Sequence, residues 1–274
     1  MGAKAAQAAL AEAGWGPETL DVIIGACGVM EQPIPSNAVL VQNKLGLGES
    51  GIPSFDVNAT CLSFIVALDR VMAGFAMGEW NRALIVSADI ASAALNYCDA
   101  DASVLFGDGA AAFAIEARGD HKRLAHSFAT FGEAALACRL EAGGTRLRLD
   151  QDHEAFLAGS KFAMDGHAVF RATSRRFPAF LSGLLAKSGT RPEDIASVIP
   201  HQASASALEH LKRSIPDGAA KTIDLYADVG NMIAASLPYA LHVARSKGVL
   251  GRGTRSLLIG SGAGISLGGT VIEW

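Results

Sequence analysis

The chain has little charge of either sign and no cluster of basic residues. Lysine and arginine together number 23 against 27 aspartates and glutamates, which leaves a formal net charge of −4. Basic residues adjoin one another only in short pairs such as Arg175-Arg176 and Lys212-Arg213. Because nucleic-acid binding depends on clustered Lys and Arg that release counterions from phosphates, the sequence argues against a nucleic-acid partner.

Long hydrophobic runs are also missing. Apolar residues make up 50 % of the 274 residues, enough for a sizeable core. Asp, Arg, Gly or Glu nevertheless interrupts every apolar run well before the ~18 residues that a membrane span requires. The opening MGAKAAQAALAEAG is an Ala-rich helix with Lys4 and Glu12 inside it, and it has none of the features of a secretion signal. We therefore expect a cytoplasmic protein with no membrane segment.

Cysteine is scarce as well. The four cysteines, Cys27, Cys61, Cys98 and Cys138, show no CxxC spacing and are too few for a disulfide scaffold. We expect reduced thiols and no metal site.

Two distant segments of the chain read alike. GWGPETLDVII (14–24) matches GTRPEDIASVI (189–199), and each follows an amphipathic helix; further on, RALIV (82–86) matches RSLLI (255–259). Because these landmarks recur in one order at nearly constant separation, we predict a duplicated α/β unit. The predicted halves are residues 1–118 and 119–274.

The hydrophobic pattern predicts alternating helices and strands in both halves. In the first half, helices are predicted over 3–13, 37–45 and 61–77, and strands over 20–27, 53–58, 82–88 and 109–117. In the second half, helices are predicted over 167–187, 203–213 and 231–247, and strands over 123–131, 195–200, 221–225, 255–260 and 265–273. The continuous apolar strands suit sheets covered on both faces. The segment 132–166, with Gly143-Gly144 and its charges, is expected to run over the surface.

The two predicted halves differ at their start. The second opens with a strand before its first helix, whereas the first begins inside its helix at Met1. The first half is therefore expected to lack its opening strand, through either a misplaced start codon or a truncation.

One cysteine stands at the start of a predicted helix. The segment 61–77 is apolar on every side, which predicts a helix buried in the middle of the molecule. Cys61 lies in its first turn, where free N–H groups and the helix dipole lower a thiol pKa and favour a nucleophilic thiolate. A free cysteine is also a common small core residue, so its position alone leaves both interpretations open.

Two further polar residues follow apolar strands or open apolar helices. His201 ends the strand ASVIP, at the edge where open α/β sheets carry a ligand crevice, although a histidine there is often only a satisfied core group. Asn231, in DVGNMIAASLPYAL, is either a helix N-cap or an amide donor at the same edge.

Two glycine-rich segments lead into predicted strands. GSGAGISLGG (260–269) lacks the spacing of a nucleotide-binding loop and returns directly to a strand, so it predicts a turn whose backbone N–H groups approach a substrate oxygen. FGDGAAA (106–112) is the corresponding turn of the first half and is expected to be structural.

These segments together resemble a known family. DVNATCLSF, FGDGAAA, MDGHAVFR, VIPHQAS, GNMIAASLP and GSGAGISLGG, in this order, are similar to the 3-oxoacyl-[acyl-carrier-protein] synthase III enzymes of the thiolase superfamily. The resemblance covers essentially the whole chain. It implies a thiolase-like fold: two duplicated α/β halves stacked in five layers, αβαβα, with the nucleophile-bearing helices inside.

The resemblance also implies roles for individual residues. Cys61 would be acylated by an acyl thioester, and His201 and Asn231 would hold the thioester carbonyl of a malonyl donor. Two neutral donors aimed at that oxygen would stabilise the enolate formed on decarboxylation.

The acyl carbonyl would be held by backbone N–H groups of Cys61 and of Ala263, which Gly262 and Gly264 flank. An alanine is compatible with this role if its φ is one that alanine adopts readily. Ser261 and Ala263 stand where a degradative thiolase would carry a second cysteine, which favours decarboxylating condensation over thiolysis. No cofactor is implied beyond the substrates, acyl-CoA and malonyl-ACP or malonyl-CoA.

The resemblance further implies a homodimer in which QPIPSNA (32–38) closes the partner's acyl tunnel, with Ile34 at the gate position; otherwise Ile34 would be a buried residue of a Pro-rich turn. Arg171 and Arg213 match residues that dock acyl carrier protein. Ser206 stands where the family often has arginine, so carrier docking could be weaker or a coenzyme A donor could be used.

The function predicted from the sequence is the condensation of an acyl-CoA with a malonyl thioester to give a 3-oxoacyl thioester, in fatty-acid or related biosynthesis. Condensation of two acyl-CoAs or use of a specialised starter acid would need the same residues. A non-catalytic partner subunit of a condensing pair and a cysteine hydrolase remain alternatives. The length and polarity of the acyl primer do not follow from the sequence.

Overall fold

The computed structural model describes the backbone of residues 1–274 and every side chain except that of residue 101. The elements up to the middle of the chain are α1 (Gly2–Ala13), β1 (Val22–Gly25), α2 (Asn37–Lys44), β2 (Ser54–Asp56), α3 (Ser63–Ala76), β3 (Arg82–Asp89), α4 (Ala100–Ser103), β4 (Gly109–Glu116), β5 (Lys122–Thr130), β6 (Cys138–Arg139) and α5 (His153–Gly159). The remaining elements are β7 (Ala163–Met164), α6 (Gly166–Ser188), β8 (Ile195–Pro200), α7 (Ala205–Arg213), α8 (Gly218–Lys221), α9 (Tyr226–Val229), α10 (Ser236–Ser246), β9 (Arg255–Gly262) and β10 (Ser266–Glu273).

Two four-stranded sheets carry the fold, in the orders β2-β1-β3-β4 and β5-β10-β9-β8. In the first, β3 is antiparallel to β4, with Asp89 opposite Gly109. In the second, β9 is antiparallel to β10, with Gly262 opposite Ser266. In the first sheet β3 also pairs in parallel with the preceding strand β1, and in the second sheet β9 pairs in parallel with the preceding strand β8. The predicted duplication is therefore confirmed in topology and in register.

Alternate residues of the strands face two different layers, as the two-residue period of a strand requires. Ile24 and Ile85 face the central layer, where α3 and α10 lie between the two sheets, together with Ile199 and Leu258 of the second sheet. Their neighbours on the same strands pack outward, against α1 and α2 in the first sheet and against α6 in the second. This arrangement is the predicted five-layer αβαβα stack, with α3 buried as expected.

One predicted strand, over 221–225, is not formed. Residues 218–221 make the short helix α8, and only Thr222 bridges the edge strand β8, opposite Val198. The Gln202 side chain donates to the Ile223 carbonyl and accepts from the Leu225 N–H, so it takes the place of a strand ladder there. The alternating pattern K-T-I-D-L correctly predicted that its apolar residues turn toward the core, but it wrongly predicted an extended strand.

The two sheets differ at one edge. In the second sheet, β5 pairs with β10. Within the described residues no strand pairs with the corresponding side of β4, and a groove of about 110 Å³ lies there between α1 and α10. Across those same residues, no helix has the length and apolar character needed to cross a membrane.

Candidate active site

Cys61 lies in a tight turn that precedes α3. The turn, Thr60–Leu62, is a single 3-10 turn and not the first turn of the α-helix as predicted. The Asn58 side chain accepts a hydrogen bond from the Thr60 N–H at 2.9 Å, and the Ser63 hydroxyl accepts one from Ala59. Thr60 has φ +52°, an unfavourable value for a β-branched residue. Side-chain hydrogen bonds therefore hold a strained backbone that presents Cys61, which is half-buried.

The duplication repeats this turn at Ile233–Ala235, before α10. The Asn231 side chain accepts from the Ile233 N–H at 2.9 Å, and Ser236 accepts from Met232 at 2.8 Å. Ile233 has φ +52°, the same value as Thr60. By this correspondence Asn231 takes the position of Asn58, and Ala234 takes the position of Cys61.

The two turns face each other across Gly28. A Cβ added there would overlap the Ile233 side chain and lie 3.3 Å from the Thr60 carbonyl oxygen. Only glycine fits between two turns this close. The segment that carries Cys61 therefore packs against the segment that carries Asn231.

His201 lies at the carboxyl end of β8, buried beside the same turn. A Cβ on Gly260 would lie 2.7 Å from the His201 Cβ and 3.1 Å from Leu62, the residue after Cys61. Burial lowers the pKa of the His201 imidazole to about 4, so the ring is neutral at physiological pH. Among the residues that the structure describes, none hydrogen-bonds its buried Nδ1. We assign the proton of the neutral ring to Nε2, which leaves Nε2–H as the donor.

Backbone contacts tie Asn231 to His201. The Asn231 carboxamide donates to the Ala203 carbonyl at 3.3 Å, and the Ala203 N–H donates to the His201 carbonyl at 3.0 Å. One N–H of the carboxamide is used in this contact, and among the described residues none accepts from the second. The alternative of a helix N-cap is wrong, because α10 begins only at Ser236 and Ala235 is its N-cap residue; the Asn231 oxygen instead accepts from the Ile233 N–H of the preceding turn.

The segment FGDG, expected to be only a structural turn, contacts Asn231 directly. Leu105 accepts from the Asn231 N–H at 2.8 Å, and the Gly107 N–H donates to the Asn231 carbonyl at 3.1 Å. A Cβ on Gly107 would overlap the Val229 carbonyl. This segment therefore helps to fix Asn231 in position.

The glycine-rich turn between β9 and β10 brings Ala263 to the Cys61 sulfur, where its backbone N–H and that of Cys61 both lower the thiol pKa. Gly264, at φ 136°, takes the left-handed conformation in this turn, whereas Ala263 does not. A Cβ on Gly262 would lie 2.9 Å from the Thr60 hydroxyl. Because Ala263 does not have a positive φ, an alanine at this position is compatible with the predicted backbone donor.

The free Cys61 thiol has a raised pKa, opposite to the expectation. Burial raises it to about 12, the Asp89 charge and the nearby Cys138 add to this effect, and the two N–H groups only oppose it. The helix N-terminus does not outweigh the loss of water around the sulfur. Cys61 is therefore a neutral thiol in the resting protein. All four cysteines are free thiols in the structure.

The other predicted site residues lie outside this cluster. Ile34 is 84 % exposed, so the alternative of a buried turn residue is wrong. Arg171 on α6 and Arg213 on α7 are both exposed. The two helices touch near them, since the rings of Phe170 and His210 have centroids 5.9 Å apart.

Asp89 is a further polar residue near the site that was not predicted from the sequence. This residue ends β3, is fully buried, and accepts hydrogen bonds from backbone N–H groups of three different residues. Its signal in the sequence is an ionisable residue at the carboxyl end of the apolar strand ALIVSA, where parallel sheets carry their functional groups.

Comparison with protein-family models matches two parts of the chain. Residues 55–132 match the model described as 3-oxoacyl-[acyl-carrier-protein] synthase III, and residues 185–274 match the model of the C-terminal part of the same enzymes. The first match contains Cys61, and the second contains His201, Asn231 and Ala263.

Curated proteins and solved structures agree with these matches. A beta-ketoacyl-[acyl-carrier-protein] synthase III of Clostridium acetobutylicum is 32 % identical over 100 % of this chain and 83 % of its own length. The acetoacetyl-CoA synthase NphT7 of Streptomyces sp. strain CL190 is 36 % identical over 98 % of this chain and 82 % of its own. The crystal structure of the synthase III of Aquifex aeolicus superimposes with a TM-score of 0.88 at 31 % identity, over 100 % of this chain and 83 % of that one. The chain belongs to the 3-oxoacyl-[acyl-carrier-protein] synthase III family, acyltransferases of thiolase-like fold.

Proposed function

We propose that the protein condenses an acyl-CoA primer with a malonyl thioester, with loss of CO₂, to give a 3-oxoacyl thioester. The observation that carries the proposal is the meeting of three distant segments: the Cys61 turn, the end of β8 at His201, and the Asn231 turn. A silent partner subunit would not need all three groups in adjoining segments.

Cys61 carries the acyl group in the first half-reaction. Its sulfur attacks the acyl-CoA carbonyl, the bond to the coenzyme A sulfur breaks, and the thiol proton leaves with coenzyme A. The N–H groups of Cys61 and Ala263 stabilise the oxyanion, and preorganised donors of this kind act strongest in a water-excluded site. Because the resting thiol is neutral, the proton leaves as the carbonyl is attacked and not beforehand.

His201 and Asn231 act in the second half-reaction. Nε2–H of His201 and the free N–H of the Asn231 carboxamide donate to the malonyl thioester carbonyl. When CO₂ leaves, the electron pair of the broken bond forms an enolate on that oxygen. The enolate carbon then bonds to the acyl carbonyl carbon, the bond from that carbon to the Cys61 sulfur breaks, and the thiolate takes up a proton from solvent to restore the neutral thiol. A neutral histidine suits this role, since it donates a hydrogen bond without giving up its proton.

The extender carrier has two candidates, malonyl-ACP and malonyl-CoA. Arg171 and Arg213 support docking of an acidic carrier protein, whereas Ser206 in place of arginine and the similarity to an acetoacetyl-CoA synthase favour a coenzyme A donor. A direct comparison of the two donors separates them.

We also propose a homodimer in the cytoplasm. The exposure of Ile34 fits a gate residue that a second copy would cover. We propose that the boundary between the two halves lies between residues 118 and 119, because the strands of the first sheet, β1–β4, precede it and those of the second sheet, β5 and β8–β10, follow it. No cofactor takes part in the proposed reaction.

The test separates the two half-reactions. Intact-mass spectrometry after incubation with a panel of acyl-CoAs should show one acyl adduct that is absent from Cys61→Ser. Malonyl decarboxylation by Cys61→Ser should continue, and it should fall about 10²- to 10³-fold when either His201→Ala or Asn231→Ala is added. Cys98→Ser is the matched control and should keep its adduct. If no thioester leaves an adduct on the wild-type chain, the silent-partner alternative replaces the proposal.

A further inference from the structure

A buried carboxylate near the site belongs to none of the proposed catalytic groups. Asp89 is fully buried at the end of β3. One carboxylate oxygen accepts from the Gly28 N–H at 2.8 Å and from the Val29 N–H at 2.7 Å, and the other accepts from the Ala234 N–H at 3.0 Å. One side chain therefore binds two separate backbone segments.

Both of those segments serve the proposed site. Gly28 and Val29 begin the loop that carries Ile34. Ala234 lies in the turn whose Ile233 N–H holds the Asn231 carboxamide oxygen. Because the positive φ of Ile233 is unfavourable, the turn needs contacts that hold it. Asp89 holds the residue directly after Ile233.

The duplication explains what the carboxylate replaces. Ala234 corresponds to Cys61, and the register of the sheets sets Asp89 opposite Gly109 as Gly262 is set opposite Ser266. Around the Cys61 turn, the turn N–H and the glycine-rich turn after β9 leave donors for an oxyanion. At the corresponding Ile233–Ala235 turn, the resident Asp89 carboxylate accepts from the equivalent donor, the Ala234 N–H. The Cys61 turn therefore keeps its donors for a substrate, whereas the donor of the Ile233–Ala235 turn is occupied by the Asp89 carboxylate.

We propose that Asp89 is a positioning residue of the condensation, whose carboxylate fixes the Ile233–Ala235 turn and so aims the Asn231 carboxamide at the malonyl thioester. The inference rests on the proposed function and adds to it a residue that does not touch the substrate. It predicts that loss of the carboxylate affects decarboxylation much more than acylation.

The Asp89→Asn variant tests this. An amide nitrogen cannot accept, so part of the donor set loses its partner while the shape of the side chain is kept. Malonyl decarboxylation, measured as CO₂ release, should fall about 10- to 100-fold, because small misplacements of a catalytic group have effects of that size. Acylation of Cys61, measured by intact mass, should change less than about threefold.

Asp21→Asn is the matched control. Its carboxylate accepts from the N–H groups of Asn81 and Arg82, at the other end of β3, and serves no site residue. This variant should leave both half-reactions unchanged. Equal losses in both half-reactions of Asp89→Asn, or no loss in either, would overturn the inference. A wild-type chain that is never acylated would instead contradict the proposed function.

If Asp89→Asn does not fold, the pH dependence of malonyl decarboxylation in Cys61→Ser tests the inference instead. Burial raises the pKa of Asp89 to about 6 against the lowering effect of its backbone hydrogen bonds. The titratable groups that sense its charge are the Cys27 and Cys61 thiols. In Cys61→Ser, decarboxylation should fall about tenfold as the pH drops through 6, since a protonated carboxyl accepts fewer hydrogen bonds. A profile that stays flat from pH 5 to pH 8 would overturn the inference.

Discussion

At the scale of single residues, His201 links the site to the stability of the fold. Its pKa is about 4 in the folded chain and near 6.5 in an unfolded one. Above pH 6.5 both forms are neutral and the histidine adds no pH dependence. As the pH falls from 6.5 to 4, the unfolded chain takes up a proton that the folded chain does not, and stability is lost.

We expect this loss to be about 3 kcal/mol in the free energy of unfolding. The His201→Asn variant lacks the titrating ring, so its stability should fall by about 3 kcal/mol less than that of the wild type over this range. Urea unfolding at pH 7 and pH 4 measures the difference. His242→Asn, at an exposed position, should follow the wild type. Parallel curves for wild type and His201→Asn would contradict the buried, neutral ring.

The neutral state of the Cys61 thiol predicts slow alkylation. At pH 8, iodoacetamide should modify Cys61 more slowly than the exposed Cys98, and the Cys61 rate should keep rising beyond pH 9 because its pKa is about 12. In Asp89→Asn the Cys61 rate should increase, because a negative charge that raises the thiol pKa has been removed. Peptide-resolved mass spectrometry follows each cysteine. A Cys61 rate that levels off below pH 8 would show a thiolate in the resting protein.

At the scale of elements, α3 depends on contacts with both sheets. Phe64 is 2 % exposed, and its ring centroid lies 5.5 Å from that of Phe113 on β4. We expect Phe64→Ala to lower the free energy of unfolding by about 3–5 kcal/mol, the usual cost of removing a buried aromatic ring. Met77→Ala, just beyond the end of α3 at 73 % exposure, is the control and should change it little. Chemical denaturation compares the two. A loss below 1 kcal/mol in Phe64→Ala would show that α3 is not sealed between the sheets.

The sequence predicted those elements whose pattern is set by burial on a regular backbone. The apolar strand ASVIP lies at β8 as predicted, and the duplicated landmarks at 14–24 and 189–199 occupy matching places in the two sheets. Strand 221–225 was wrong because a side chain, Gln202, satisfies backbone groups that a neighbouring strand would otherwise bind. Such a contact depends on residues about 20 positions apart and leaves no local pattern.

The site was predictable only in part, for a similar reason. Cys61, His201 and Asn231 follow from their positions at the ends of apolar elements combined with the family resemblance. The pKa of Cys61 was not predictable, because it depends on how much protein surrounds the sulfur. Asp89 was missed because the donors that it binds come from two distant segments of the chain.

At the scale of the whole molecule, the duplication places two similar turns with different side chains where the two halves meet. Each half contributes one strained turn before a buried helix, and the two turns pack against each other across Gly28. The first half supplies a sulfur at this position and the second supplies a carboxamide three residues earlier. The duplicated backbone thus brings together side chains of different chemistry, as the proposed condensation requires.

The exposed arginines on α6 and α7 give the last prediction, which concerns the choice of extender. If Arg171 and Arg213 dock a carrier protein, reversing their charge repels its acidic surface but leaves the bound thioester untouched. We expect Arg171→Glu with Arg213→Glu to raise KM for malonyl-ACP about tenfold or more and to leave KM for malonyl-CoA within about twofold, with a weaker effect at high salt.

Arg191→Glu is the control, because this exposed arginine pairs with Asp194 at the opposite end of β8 from His201. It should affect neither donor. An equal KM for malonyl-ACP in the wild type and the double variant would remove the docking role from both arginines. If the wild type also has a higher kcat/KM for malonyl-CoA than for malonyl-ACP, the serine at position 206 explains this preference. Without a basic residue there, the α6–α7 surface does not select a protein-bound donor over the free coenzyme A thioester.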